Sequence, residues 1–275
     1  PYPMPVIRSH FGGLDWPRAA TASAEQAATA IMTTDTHAKV AEAAVAGSSA
    51  RVVGSAQGVG MIEPDMATML TLITTDAEVT ADDLDAITRR VVERTFNSLS
   101  VDTDTSTSDT AIVMASGAAG PVGLDAFEAA LEVVALDLTR QLASDGEGAE
   151  TLIVVTVDGA RDHAQAKRVA KAIVNSPLVK TAVHGRDPNW GRIAMAVGKC
   201  SDETDIDPDN AVIRIGSQEL YPSLVSAETL AELERYLGED EVLIHVSLGI
   251  ADGAWTVYGC DLTDGYVRIN ADYTT

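Results

Sequence analysis

Residues 58–70 read GVGMIEPDMATML, with a Pro-Asp turn at 64–65, then Ala67 and Thr68 at the mouth of an apolar run. In an unbroken chain a threonine hydroxyl is a poor nucleophile, because at neutral pH its proton has nowhere to go. Breaking the peptide bond between Ala67 and Thr68 changes that. The new α-amino group is a base of pKa about 7.7–8.0 tethered to the hydroxyl it must activate, and a base in that range works best near neutral pH. One residue would then supply both nucleophile and base. The small Ala67 leaves room for the hydroxyl to reach the preceding carbonyl. The competing reading is that Thr68 is an ordinary structural threonine.

The other candidate motifs are weaker. Gly54, Gly58 and Gly60 suggest a phosphate loop, but no Gly-Lys-Ser/Thr follows and the third glycine of a dinucleotide fingerprint would fall on Glu63. Those glycines read instead as close backbone approaches beside a buried site. Asp102 and Asp104 have calcium-loop spacing, yet Thr107 and Val113 stand where glycine and glutamate are needed, so the segment reads as a turn. The histidines at 10, 37, 163, 184 and 245 form no zinc motif, and no Gly-x-Ser-x-Gly elbow occurs. No zinc site is expected.

The elements that must hold such a site follow from composition and pattern. Apolar residues are 46% of the 275 and aromatics only 4%, so the core is aliphatic and suits packed helix and sheet layers. A formal charge of −22 argues against nucleic acid and anionic membranes as partners. Two cysteines imply no disulfide framework and fit a reducing cytoplasm. The opening residues PYPM carry no leader pattern and read as the interior of a longer polypeptide. Periodicity and caps predict helices over 81–99, 124–143, 162–175 and 226–237. Strands are expected in the runs that start at Ala111, Thr151, Arg192, Ala211, Glu241 and Ala254. Strands and helices mix without a regular βαβ beat, which points to an α/β or α+β layered sandwich.

Several blocks together resemble the ornithine acetyltransferases, the ArgJ family of glutamate N-acetyltransferases. They are AIMTTDTHAK (30–39), GVGMIEPDMATML (58–70), SVDTDTSTSDT (100–110), SDGEGA (144–149), NSPLVKTAVHGRDPNWGRIAMAVG (175–198) and YGCDLTDGYVRINADYTT (258–275). The wording from His184 onward is especially similar to the actinomycete branch associated with clavulanic acid biosynthesis. The resemblance implies an Ntn-type fold of the DmpA/ArgJ kind, with a catalytic domain over 1–158 and a smaller C-terminal α/β domain over 159–275 whose tail returns to the site. It implies self-cleavage between Ala67 and Thr68, so that 1–67 ends an α-subunit and 68–275 is the β-subunit, assembled as α₂β₂. Thr68 would take the acetyl group of N-acetylornithine and pass it to glutamate in a ping-pong cycle, with acetyl-CoA as a further donor to consider. Substrate contacts carry over to Thr33, Gln57, Thr68, Glu147, Asn270 and Thr275. The alternatives are an amidase or aminopeptidase of the same fold, a paralogue with a different acyl donor or acceptor, and a non-catalytic assembly subunit.

Two departures stand out. The family's oxyanion-hole Thr-Gly pair precedes the block resembling PYPM and is not in this sequence, and such a donor is worth about 3–4 kcal/mol in the transition state. Gln57 stands where the family usually has lysine, which exchanges a point charge for a neutral amide. The reading expects Gln57→Lys to change kcat/KM for N-acetylornithine. Kinetics indistinguishable from those of the native protein would remove any role for Gln57 in substrate choice.

Overall fold

The computed structural model describes residues 3–13, 23–60, 69–104 and 109–272. Two helices come first, α1 (Met4–Gly12) and α2 (Ala24–Ile31), the second opened by a capping box between Ser23 and Gln26. A four-stranded sheet follows in the order β1 (Lys39–Ala44), β2 (Arg51–Gln57), β3 (Leu70–Glu78), β4 (Thr110–Pro121). The first three strands are antiparallel neighbours; β3 and β4 run parallel, with Leu70 opposite Thr110. Between them lies α3 (Ala81–Arg94), capped by the Thr80 side chain on the Asp83 amide.

One face of this sheet is covered by α4 (Leu124–Ser144). Its residues Phe127, Leu131, Val134, Leu138 and Leu142 recur at three- and four-residue spacing and are all buried. Each large apolar side chain so buried contributes about 1.5–3 kcal/mol. The approach is close at Gly54, where a Cβ would lie 2.8 Å from both Val134 and Leu138. The opposite face presents Leu70, Leu72, Ile112 and Met114 as exposed side chains.

The second sheet has five strands in the order β7 (Gln218–Tyr221), β6 (Val212–Ile215), β8 (Glu241–Ser247), β5 (Leu152–Ala160), β9 (Gly253–Cys260). Helices α5 (His163–Val174), α6 (Pro177–His184), α7 (Trp190–Gly198) and α8 (Ala227–Tyr236) accompany it, and α9 (Asp264–Asp272) follows the last strand. Ile153, Val155 and Val157 of β5 and Val242, Ile244 and Val246 of β8 form its core with Val169, Ile173 and Ile193 from the helices. The mixed α/β fold expected from the sequence is the one found.

Two expectations fail locally. The run from Arg192 is not a strand: Asn189 caps the Arg192 amide, and Ile193 and Ala196, three apart, turn one helical face inward. The predicted 81–99 helix stops at Arg94: Thr95 leaves the helical conformation (φ −117, ψ −89) and a 3-10 turn (Phe96–Ser98) takes over.

A buried ion cluster ties these layers together. Lys39, the first residue of β1, has no exposed side-chain surface; its ammonium lies 2.7 Å from Asp35 and also binds Asp145, the residue that ends α4. Asp145 further accepts from the Thr36 amide at 3.1 Å and from the Thr36 hydroxyl. Removing one member of such a cluster leaves unpaired buried charge, which costs about 3–5 kcal/mol. Lys39→Met is therefore expected to lose stability on that scale in urea unfolding at pH 7. Equal stability of the two proteins would show that the cluster does not hold the layers.

Candidate active site

Gln57 ends β2 and is buried at 5% exposure. Its amide nitrogen donates to the Thr33 hydroxyl at 3.0 Å and, more loosely, to Asp35 at 3.4 Å. Asp35 in turn accepts from the Thr33 amide at 3.1 Å and the Gly58 amide at 2.9 Å. Burial on its own pushes the Asp35 carboxyl upward, but the Gly58 amide, Lys39 and the Thr33 amide outweigh it and hold it below the usual carboxylate value. A folded value lowered in this way stabilises the protein above pH 3.8, and that contribution is lost as pH falls through the lowered value. A lysine at 57 would bring a second ammonium to a carboxylate already paired with Lys39. The neutral glutamine avoids that crowding.

Two residues beyond Gln57, the Val59 carbonyl accepts the Glu147 amide at 2.8 Å. Glu147 lies in the loop after α4, and a Cβ on Gly60 would sit 2.6 Å from its carboxyl carbon, so a side chain at 60 would push this carboxylate aside. The carboxylate accepts from Asn270 at 2.8 Å, and the same Asn270 amide donates to the Tyr266 carbonyl at 3.0 Å. Helix α9 thus docks on the loop, helped by the Thr263 hydroxyl on the Gly148 carbonyl at 2.6 Å and by Gly148 at φ +68.

Glu147 lines a cavity of about 200 Å³ together with Asp102, Thr103, Lys180, Asp261 and Tyr266. Lys180 is buried there and donates to the carbonyls of Val101 (3.0 Å) and Cys260. Burial, reinforced by Asp102, Asp104 and Glu147, pushes the Tyr266 phenol up, so it stays protonated. A carboxylate in a small polar pocket suits the cationic end of an amino acid. Two larger cavities, of about 870 and 520 Å³, lie beside Arg90 and Trp255 and beside Trp190 and Cys200, and contain none of the residues predicted from sequence.

The Met69 backbone is held at both polar groups by the start of β4: its amide donates to the Asp109 carboxylate, and its carbonyl accepts the Thr110 amide at 2.9 Å. Burial raises the Asp109 carboxyl to about 6, against a smaller lowering by the Met69 amide. Of the residues predicted from sequence, Thr33 is bonded to Gln57 and Glu147 to Asn270, and the two pairs are linked through Val59. Ala67, Thr68 and Thr275 lie outside the described residues.

Sequence reading passed over Asp35, Lys39, Asp109 and Asp145. The four-residue spacing of Asp35 and Lys39 was the one available signal. Among the described residues, Glu150, His184 and Asp261 bring possible metal-ligand atoms within 4.8 Å of one another. One Asp261 oxygen already takes the Glu150 and Thr151 amides at 2.9 and 3.1 Å, and the other faces His184 at 3.2 Å, so the group serves as a loop clasp. No helix among the described residues is long and apolar enough to cross a membrane.

The ArgJ family model matches residues 1–275. Glutamate N-acetyltransferase Oat2 of Streptomyces clavuligerus is 57% identical over 279 residues, covering 100% of this chain and 70% of that protein. The arginine biosynthesis bifunctional protein ArgJ of Rhodococcoides fascians is 55% identical over 276 residues, covering 100% and 68%. The crystal structure of ArgJ from Bacillus halodurans is 42% identical with a TM-score of 0.68, over 73% of this chain and 97% of that one. With the Thr33–Gln57 and Glu147–Asn270 pairs in place and the match running from the first residue to the last, the chain belongs to the ArgJ family.

Proposed function

We propose that this protein is an acyltransferase of amino-acid biosynthesis that moves an acetyl group from N-acetylornithine to glutamate through an acetyl ester on Thr68. The observation that carries the reading is the anchoring of the Thr68 stretch. Gly60, on one side of it, is pressed against Glu147, and Met69, on the other, is fixed by Asp109 and Thr110. Leu70 pairs with Gln57, so the stretch that carries Thr68 leads into the strand bordering the Gln57 end of β2. Glu147 pairs with the side-chain ammonium of ornithine, Asn270 holds Glu147, and Thr33 and Gln57 line the β2 end. Thr275 completes the set from the tail.

Self-cleavage at Ala67-Thr68 supplies the free amine that activates the hydroxyl. The α₂β₂ assembly, the division into domains 1–158 and 159–275, a cytoplasmic location and service in arginine or specialised-metabolite (antibiotic) biosynthesis belong to the same proposal. Acetyl-CoA is a second candidate donor, and the chemistry as written needs neither metal nor organic cofactor.

Intact mass of the full-length protein should show two fragments, the larger starting at Thr68, and a single uncut chain for Thr68→Ala. The cut protein should form acetylglutamate from N-acetylornithine, with ornithine released in equal amount. Free acetate with no acetylglutamate would identify a hydrolase of the same fold instead, and an uncut wild-type chain would remove the Thr68 reading.

A further inference from the structure

Self-cleavage poses a problem that the amine of Thr68 cannot solve. Before the cut that nitrogen is an amide and has no lone pair to offer, so the first attack by the Thr68 hydroxyl needs a different base. The described groups around Met69 supply one candidate. Asp109 holds the Met69 amide through one carboxylate oxygen, while the other is buried with no hydrogen-bond partner among the described residues. An unsatisfied buried carboxylate oxygen is unfavourable, and here it is maintained one residue from the proposed nucleophile. The reach follows from covalent geometry. The Thr68 nitrogen is three bonds from the Met69 nitrogen and its hydroxyl four, so both fall within roughly 3–5 Å of the amide that Asp109 holds, whatever their torsions. Asp109 therefore binds the peptide unit that joins Thr68 to Met69, one residue from the two atoms between which the proton must pass.

We propose that Asp109 is the proton carrier of the self-cleavage step. This assignment rests on the reading of Thr68 as the self-cleaving residue. The Asp109 carboxylate takes the hydroxyl proton as the Thr68 oxygen bonds to the Ala67 carbonyl carbon. The C–N bond of the tetrahedral adduct then breaks, and the same proton passes from Asp109 to the departing Thr68 nitrogen. The product is an ester of Ala67 on the Thr68 oxygen beside a free amine, and Asp109 is again a carboxylate. One water hydrolyses the ester, giving a carboxyl end at Ala67 and the free hydroxyl of Thr68. No proton is gained or lost in the shift itself, which is why a single carrier suffices.

The electrostatics agree with the geometry. Burial raises the Asp109 carboxyl to about 6, close to the middle value a group needs to take a proton and give it back near neutral pH. The cause is desolvation, opposed only by the Met69 amide; no charged described residue contributes. The strand ends packed beside it, β3 from Leu70 and β4 from Thr110, present no titratable group at that level. Glu63 and Asp65, the acids nearest Thr68 in sequence, lie outside the described residues and are the rival carriers.

The test follows cleavage of the full-length precursor by intact mass between pH 5 and 8, for the wild type and for Asp109→Asn, Asp109→Glu, Glu63→Gln, Asp65→Asn and Thr68→Ala. Asparagine keeps an oxygen for the Met69 amide, so the anchor survives while the proton carrier is lost. The wild-type rate should rise through about pH 6 and level off above it. Asp109→Asn should cleave at least about 100-fold more slowly and lose that pH step, Asp109→Glu should recover part of the rate, and the two rival substitutions should keep both rate and step. Native-like rate or an unchanged pH step in Asp109→Asn, or transfer of those losses to Glu63→Gln or Asp65→Asn, would overturn the assignment. Should Asp109→Asn fail to fold by its melting curve, a wild-type rate that is flat from pH 5 to 8 overturns it alone. Cleavage persisting in Thr68→Ala would instead sink the Thr68 reading on which the assignment rests.

Discussion

A single buried ammonium sets the geometry of this site. Lys39 opens β1 with no contact with solvent, and its two carboxylate partners come from the loop before that strand and from the end of α4. The loop partner, Asp35, also gathers the amides of Thr33 and Gly58. The other, Asp145, stands two residues before Glu147 in the loop that carries it. One cation therefore fixes both the Thr33–Gln57 pair and the loop bearing Glu147. Charges buried this way contribute little net stability compared with an apolar core, and their value lies in specifying one arrangement. Here that arrangement joins the sheet edge to the end of its covering helix.

Around this anchor the site is built from close approaches. Gly60 admits the Glu147 carboxylate, and Gly148 lets the backbone of α9 come near enough for Asn270 to reach the same carboxylate. On the far side of the Thr68 stretch, Met69 is pinned by both of its backbone groups. These anchors suit the proposed mechanism, in which the nucleophile precedes Met69 and a carboxylate meets the leaving group's positive end.

Much of this was legible before any coordinates. The helix over 124–143 could be read from apolar spacing, and those over 162–175 and 226–237 because caps agree with that spacing, as at Asp162, whose side chain accepts the Gln165 amide. The run 192–198 misled because Ile, Ala, Met, Ala and Val suit either state in so short a window. What decided it was the Asn189 cap upstream. Glu147 and Asn270, 123 positions apart, could be paired only through family resemblance, since local patterning carries no information over that separation. Lys39 and Asp145 were missed for the same reason, and because a lysine looks like a surface residue until its partners are known. Asp109 looked like part of a polar turn; its neighbourhood with Met69 exists only through the parallel pairing of β3 and β4.

The most direct measurement is to mix the cleaved protein with N-acetylornithine alone, quench, and locate the acetyl group by peptide mass spectrometry. The account predicts one acetyl per site on the fragment whose first residue is Thr68, with ornithine already released, and its disappearance when glutamate is added. An unmodified Thr68 in a protein that still transfers acetyl to glutamate, or an acetyl group on a different residue that turns over at the same rate, would contradict it.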